Sequence, residues 1–230
     1  MSVAPGILEN LDLSLAYIVD GGGCYFKIDD ETYYKTQNGT KANIYPDQAF
    51  MSTKLKRIKL PSSVNTIGRY SFIFCNDLNE IIWNDQVKKI DFSAFNYTAL
   101  KTVIIPESVE TVGPYAFCNM ADLNKVKFSN NIKSIGYLAF EKDNNITEIW
   151  SEINKPFGIN NNVFSENCYE NAVLIIPYGT LNLYKNAEGW KNFKRIIEME
   201  EKITGDVDGN GIVNILDVIK VVNIILGIQK

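Results

Sequence analysis

The residues of this chain best placed to do chemistry lie near its C-terminus, in the run GDVDGNGIVNILD (Gly205–Asp217). With Asp206 counted as position 1, Asp208 falls at 3, Asn210 at 5, Ile212 at 7, Asn214 at 9 and Asp217 at 12. Calcium is a hard cation that takes about six to eight oxygens, and this spacing wraps carboxylate and amide oxygens around one point. Ile212 would contribute its backbone carbonyl. Gly211 stands at position 6, where such a loop bends sharply, and Val213 is the apolar residue that packs it. The spacing predicts one bound calcium as cofactor. A solvated Asp/Asn/Gly turn is the plainer alternative, and the number of matched positions weighs against it.

Other chemistry is thinly supplied. The chain has no histidine, which removes Ser-His and Cys-His nucleophile pairs and imidazole metal ligands. Spacing alone does not exclude a glycoside-cleaving carboxylate pair, but Glu80, Glu148 and Asp91 stand at places expected to be solvated. Gly21-Gly22-Gly23 lacks the lysine and the following helix of a phosphate-cradling loop. The cysteines Cys24, Cys75, Cys118 and Cys168 include no C-x-x-C pair, so a zinc or dithiol redox site is not expected. Their even number permits disulfides. Three of them stand just after a recurring phenylalanine, however, which favours free buried thiols. No enzymatic activity is expected.

The elements that precede this tail are written in a repeat. LKRIKLPSSVNTIGRYSF (from Leu55) aligns with LNEIIWNDQVKKIDFSAF (from Leu78), LKTVIIPESVETVGPYAF (from Leu100) and LNKVKFSNNIKSIGYLAF (from Leu123). The leads Leu55, Leu78, Leu100, Leu123 and Ile146 step by 23, 22, 23 and 23, and the closing residues Phe50, Phe72, Phe95, Phe117, Phe140 and Phe164 keep pace. A sustained period of this length means a solenoid. One copy holds too few apolar residues to bury a core alone, so each must stack on its neighbours. Each lead alternates, as Leu55, Ile58 and Leu60 do against Arg57 and Lys59, which is strand periodicity with one face buried. Stacked, the leads form a parallel sheet and the phenylalanines an aromatic spine. Gly68, Gly113 and Gly136 are read as bends free of side-chain penalty. Asp91 holds that place in the second copy, where the turn is expected to differ.

The phrase L-x-x-V-x-I-P-x-S-V-x-x-I-G-x-x-A-F, which LKTVIIPESVETVGPYAF matches nearly throughout, resembles the BspA-like leucine-rich repeat family common on bacterial cell surfaces. The resemblance covers about residues 44–198. It implies a right-handed leucine-rich solenoid that binds other molecules and has no catalytic centre. AVLIIPYGTLNLYKNAEGWKNFKRIIE, after Phe164, resembles the C-terminal cap of these proteins, with Leu181, Tyr184, Trp190 and Phe193 covering the last coil. The calcium run resembles a type I dockerin repeat, whose loop ends in Asp and whose modules bind cohesins. A dockerin carries two such loops where this sequence carries one, and positions 10 and 11, often hydroxyl-bearing there, are Ile215 and Leu216.

The expected fold is therefore a repeat solenoid with parallel strands and short turns or helices, followed by a small helical half-hand. Four segments are expected: an N-terminal cap or degenerate repeat over 1–43, repeats over 44–170, a C-terminal cap over 171–202 and the calcium segment over 203–230. Within the first, Leu11–Val19 reads as an early strand and the following stretch as a hairpin with turns at Asp29-Asp30 and Asn38-Gly39. Tyr25, Tyr33 and Tyr34 belong to that cap or, alternatively, to a ligand platform. Hydrophobic content of 46% suits a folded chain. Net charge is −4, with six acids against Lys202 between Glu198 and Asp217, so the remainder is near neutral and nucleic acid is not an expected partner. No apolar run reaches the length of a membrane span. The start MSVAPGILENLDLS has no basic or apolar leader region. Because the resemblance implies export, a secreted or cell-surface location with a trimmed leader is expected.

The expected partner-binding face is the outward column of the leads. Its third positions are Arg57, Glu80, Thr102, Lys125 and Glu148, and its fifth Lys59, Ile82, Ile104, Lys127 and Trp150. Ile82, Ile104 and Trp150 together would make an apolar patch rimmed by charge, as interaction sites often are; the plainer alternative is that the patch is partly covered. Two further readings stand beside protein binding. In one the tail docks to a cohesin-like module, since the apolar residues Val218–Leu226 must pack on something. In the other Trp83, Trp150 and Tyr97 bind carbohydrate, against which Trp83 takes a core-facing place in its lead.

Overall fold

The computed structural model describes residues 9–13, 25–27, 33–35, 44–45, 47–200 and 212–225. The chain divides into two compact units, Met1–Glu198 and Met199–Lys230.

The first unit opens with β1 (Asn10–Asp12), β2 (Tyr25–Lys27), β3 (Tyr33–Lys35) and β4 (Ile44–Tyr45). β2 and β3 pair antiparallel, the hairpin expected from the alternating sequence. The remainder of the Leu11–Val19 strand, the Asn38-Gly39 turn, Cys24 and the side chains of Tyr25, Tyr33 and Tyr34 lie outside the described residues.

Each repeat then contributes a lead strand and a shorter one before its closing phenylalanine. In order these are β5 (Arg57–Lys59) and β6 (Thr66–Ile67), β7 (Glu80–Ile82) and β8 (Lys89–Ile90), β9 (Thr102–Ile104) and β10 (Thr111–Val112), and β11 (Lys125–Phe128) and β12 (Ser134–Ile135). β13 (Glu148–Ser151), β14 (Val173–Ile176) and β15 (Arg195–Glu198) continue the lead series. β1 pairs parallel with β5 through Leu11 and Ile58, so it is an early coil.

The alternation of each lead becomes burial. Leu55, Ile58, Leu60, Val64 and Ile67 are buried, as are Leu123, Val126, Phe128, Ile132 and Ile135 at the matching places. Fully burying one such side chain is worth about 1.5–3 kcal/mol, and in a stack each also covers its neighbour. The spine runs from Phe50 to Phe164 with adjacent ring centroids 5.0–5.4 Å apart and planes within 15°. Two residues before and after a closing phenylalanine the backbone turns left-handed, at Tyr115 and Asn119 around Phe117 and at Leu138 and Lys142 around Phe140. None of these is glycine, and the tight closing turn over-determines a conformation that β-carbons ordinarily avoid.

Three expectations change. The short strands form a second parallel sheet of their own, in the order β12-β10-β8-β6-β4. The leads form two sheets rather than one: β1-β5-β7, then β15-β14-β13-β11-β9. The break falls where the lead spacing is 22 instead of 23, because Leu100 follows Phe95 by five residues where Leu78 follows Phe72 by six. With that residue missing, Ala99 N–H reaches Leu78 O, and β9 starts out of register with β7. Finally, Gly113 and Gly136 serve close approach. A β-carbon on Gly113 would lie 2.8 Å from the carbonyl carbon of Asp91 in the coil before, and one on Gly136 would strike Pro114 and Gly113.

The stack ends in α1 (Glu166–Asn171), capped by Ser165 Oγ accepting from Cys168 N, and α2 (Leu181–Asn186). Tyr184, Trp190 and Phe193 are buried over the last coil, as expected of a plug. Trp190 Nε1 donates to Phe157 O at 2.9 Å, and Tyr184 OH donates to Ile153 O at 2.9 Å. β15 extends the lead sheet one strand further than the sequence indicated. In the second unit the described element is α3 (Ile215–Ile225), amphipathic in its period and apolar on most of its surface.

Candidate binding face and metal loop

The outward column carries the ten residues expected on it, and the structure pairs the charged ones coil to coil. Arg57 meets Glu80 at 2.9 Å, Lys125 meets Glu148 at 3.2 Å, Lys127 meets Glu152 at 2.7 Å and Lys59 meets Asp12 at 3.3 Å. Exposed pairs of this kind contribute about 0–1 kcal/mol each, so their main effect is to neutralise the rim. Ile82, Thr102, Ile104 and Trp150 remain uncharged. Ile104 is 55% exposed and Thr102 is exposed, while Ile82 and Trp150 are half-buried.

Trp150 is held rather than loose. Lys125 Nζ lies 4.9 Å from its ring centroid, and its Nε1 donates to Glu148 Oε2 at 2.9 Å. That indole bond, with Lys125, sets the Glu148 carboxyl below its ordinary range. The three apolar side chains do not form one patch, because Ile82 belongs to one lead sheet and Ile104 and Trp150 to the other. Between them opens a cleft of about 470 Å³ lined by Ile81, Trp83, Val103, Ile104 and Pro106 among others. Trp83 sits edge-on to Phe95 with centroids 5.6 Å apart, and Tyr97 stacks on Phe74 at 4.9 Å. Glu80, Glu148 and Asp91, the carboxylates weighed for glycoside chemistry, are each engaged by a cation: Arg57, Lys125 and Lys89.

Sequence reasoning passed over Asp143. It occupies the third place after its closing phenylalanine, where Cys75, Thr98 and Met120 stand in earlier coils, and it is fully buried. Its Oδ1 accepts from Met120 N at 2.6 Å, and its Oδ2 has no hydrogen-bond partner. Burial drives the carboxyl well above the ordinary range; the Met120 bond opposes this and the Glu141 charge adds to it. Cys75, Cys118 and Cys168 are buried free thiols. Burial, with the Asp143 charge adding, pushes the Cys118 and Cys168 thiols up to about 12.

The Asp143 environment has a consequence in solution. The folded state keeps this proton to higher pH than the unfolded chain, whose aspartates titrate at about 3.9. Stability therefore falls as pH rises from that value through the folded one. Asp143→Asn preserves the shape and the acceptor for Met120 but cannot ionise. It is expected to raise the melting temperature at pH 7 and to flatten this part of the pH profile. Melting curves that superimpose at pH 7 would contradict it.

In the metal loop, Asp206, Asp208 and Asn210 lie outside the described residues, while Ile212, Asn214 and Asp217 lie within them. Asn214 Oδ1 accepts from Leu216 N at 2.7 Å, and Asn214 N donates to Asp217 Oδ2 at 2.8 Å. This reciprocal cap starts α3 and holds the Asp217 carboxylate, which is buried, against the end of the loop. Asn214 Nδ2 also donates to Ile212 O at 3.3 Å. Three of the six residues whose oxygens the spacing assigned are thus gathered at one helix start. Among the described residues no cluster of three cysteine, aspartate or glutamate side chains suits a metal, and no helix is long and apolar enough to cross a membrane.

A family model described as a BspA type leucine rich repeat region matches residues 43–172 in six copies. Among solved structures, the leucine-rich repeat protein of T. pallidum is similar at 20% identity and a TM-score of 0.50, covering 76% of this chain and 80% of that one. The pneumococcal vaccine antigen PcpA is similar at 20% identity and a TM-score of 0.55, over 70% of this chain and 40% of that one. At this identity the likeness concerns the fold. No curated protein matches the sequence.

Proposed function

The chain belongs to the BspA-type leucine-rich repeat family, and from that premise we propose that it is a non-enzymatic binding protein of the cell surface or the secreted fraction. It engages another protein through the outward face of its lead strands. The observation that carries this reading is the pairing of the rim charges around uncharged Ile82, Thr102, Ile104 and Trp150. Such a surface has little long-range preference for sign and loses little solvation on contact. Trp150, fixed by Lys125 and Glu148, is a pre-ordered aromatic anchor. Trp150→Ser and Ile104→Ser are each expected to weaken partner binding by about 2 kcal/mol without lowering the melting temperature. Surface plasmon resonance against the captured partner, beside thermal melts, tests this; parallel loss of binding and stability would refute it.

The tail adds a calcium site in this reading, with Asp206, Asp208, Asn210, Asn214, Asp217 and the Ile212 carbonyl as ligands. The cap at α3 supports it, because it brings Asn214, Ile212 and Asp217 together before any cation arrives. Calorimetry on the full chain is expected to show one calcium site. Losing a second-shell partner alone costs about 10–100-fold in metal affinity, so Asp206→Asn or Asp208→Asn is expected to cost at least that. Absence of calcium uptake by the unaltered chain would remove the site from the account. A second reading, docking of the tail to a cohesin-like module, is favoured by the exposed Ile215, Leu216, Val218, Ile219, Val221 and Val222 of α3.

A further inference from the structure

Strands β7 and β9 belong to neighbouring coils, yet no ladder joins them. On the other side of the same two coils β8 and β10 stay paired, so the stack is open on its lead side alone. Most Cα pairs between β7 and β9 stand more than 8 Å apart, against about 4.8 Å between paired strands. The opening uncovers core positions. Ile81 is half-buried, whereas Ile58, Val103, Val126 and Ile149 at the same place in their leads are buried.

The flanking ladders determine which main-chain groups face the cleft. Glu80 N donates to Lys56 O and Leu60 N to Ile82 O, so residues 80 and 82 are turned to β5 and Ile81 is turned the other way. Asn124 N donates to Lys101 O and Ile105 N to Lys127 O, which turns Thr102 and Ile104 toward β7. Two strand edges therefore confront each other with their N–H and C=O groups outside any ladder, and such edges template a further strand. The cleft lining holds one charged side chain, Glu80, which Arg57 neutralises at 2.9 Å, beside the uncharged Thr102 and Ile104.

Resting on the reading of the lead strands as the binding face, we propose that the cleft between β7 and β9 receives an extended, uncharged peptide segment of a partner protein. The segment pairs its main chain with both edges and seats an apolar side chain on Ile81 and Trp83. The joint is held at its start by Ala99 N donating to Leu78 O and carries no ladder beyond that point, so the segment enters from the Ile82 and Ile104 end.

The test uses the full chain and blocked pentapeptides of the form acetyl-Thr-Val-Xaa-Val-Thr-amide, with Val, Ile, Leu, Phe or Ser at the centre, followed by fluorescence anisotropy and amide exchange. The apolar-centred peptides are expected to bind, to slow exchange at Ile81, Thr102 and Ile104, and to weaken by more than about tenfold when alternate peptide nitrogens are methylated. Inserting one asparagine after Asn96, together with Trp83→Leu, restores the common spacing and is expected to close the ladder and abolish binding. Peptide binding is read separately from partner binding, so its failure with partner binding intact overturns this site and leaves the lead-strand reading standing. No binding of any apolar-centred peptide up to about 1 mM would overturn the proposal. So would equal binding of the methylated peptides, or self-association of the chain through the cleft that excludes the peptide.

Discussion

Gly136→Ala is expected to cost about 3 kcal/mol or more and to lower the melting temperature by roughly 6–12 °C. The added methyl would lie 2.6 Å from the carbonyl carbon of Gly113, 2.8 Å from the Cα of Pro114, and closer still to the Pro114 nitrogen. All three are backbone atoms of the preceding coil, so no side chain can swing aside. Relief would require the two coils to separate, which would strain Gly136 N donating to Val112 O and the ladder between β10 and β12. Gly179→Ala provides the contrast. Its φ is +77° and nothing lies within 4 Å of the added carbon, so it is expected to lose only about 1 kcal/mol, through backbone conformation alone. Denaturant titration of both variants checks the pair; a Gly136→Ala loss no larger than that of Gly179→Ala would refute the argument from close approach.

Phe117→Ala is expected to cost about 3–5 kcal/mol. Phe117 is fully buried with a ring on each side, Phe95 at 5.3 Å and Phe140 at 5.4 Å. Truncation removes both stacking contacts and leaves a cavity that the neighbouring coils, tied by their own ladders, cannot collapse to fill. Phe50→Ala, at the half-buried end of the spine, is expected to cost less than half as much. Because each repeat is supported only by its neighbours, a break at Phe117 is also expected to uncouple the two sides and lower the slope of denaturant unfolding. A single transition with unaltered slope and a loss equal to that of Phe50→Ala would sink this account.

The repeat made the fold legible because one period fixes many things together: which face of each lead is buried, how strands pair, and where the phenylalanines stack. The plug was legible for a similar reason, since Tyr184, Trp190 and Phe193 are large apolar residues arriving after the phrase ends. What stayed hidden depends on single departures from the pattern. The residue missing between Phe95 and Leu100 was visible as a step of 22, but its result, a divided lead sheet, follows from ladder register that no composition reveals. The left-handed turns around the phenylalanines fall on residues as different as Tyr115, Asn119, Leu138 and Lys142, so no residue type announces them. Gly136 was recognisable as a necessary glycine, yet its reason, contact with the previous coil, is a property of the stack. Asp143 was one carboxylate among many until the column of Cys75, Thr98 and Met120 showed that its place is interior. In the run read as a calcium loop, spacing gave the expected ligands, and the geometry of Asn214 and Asp217 showed that these two cap a helix.

A solenoid whose lead ladder is interrupted at one joint is not mechanically uniform. Between the β7 and β9 coils the β8–β10 ladder, closing-turn hydrogen bonds such as Phe95 N to Ala116 O, and the buried spine hold the two halves together, with no ladder on the lead side. Tension applied along the stack would concentrate extension there, with the closing side acting as a hinge and the lead side as the gap that widens. The joint is the compliant element of an otherwise stiff rod, and its position, set by the loss of one residue from a connector, divides the rod into two lever arms.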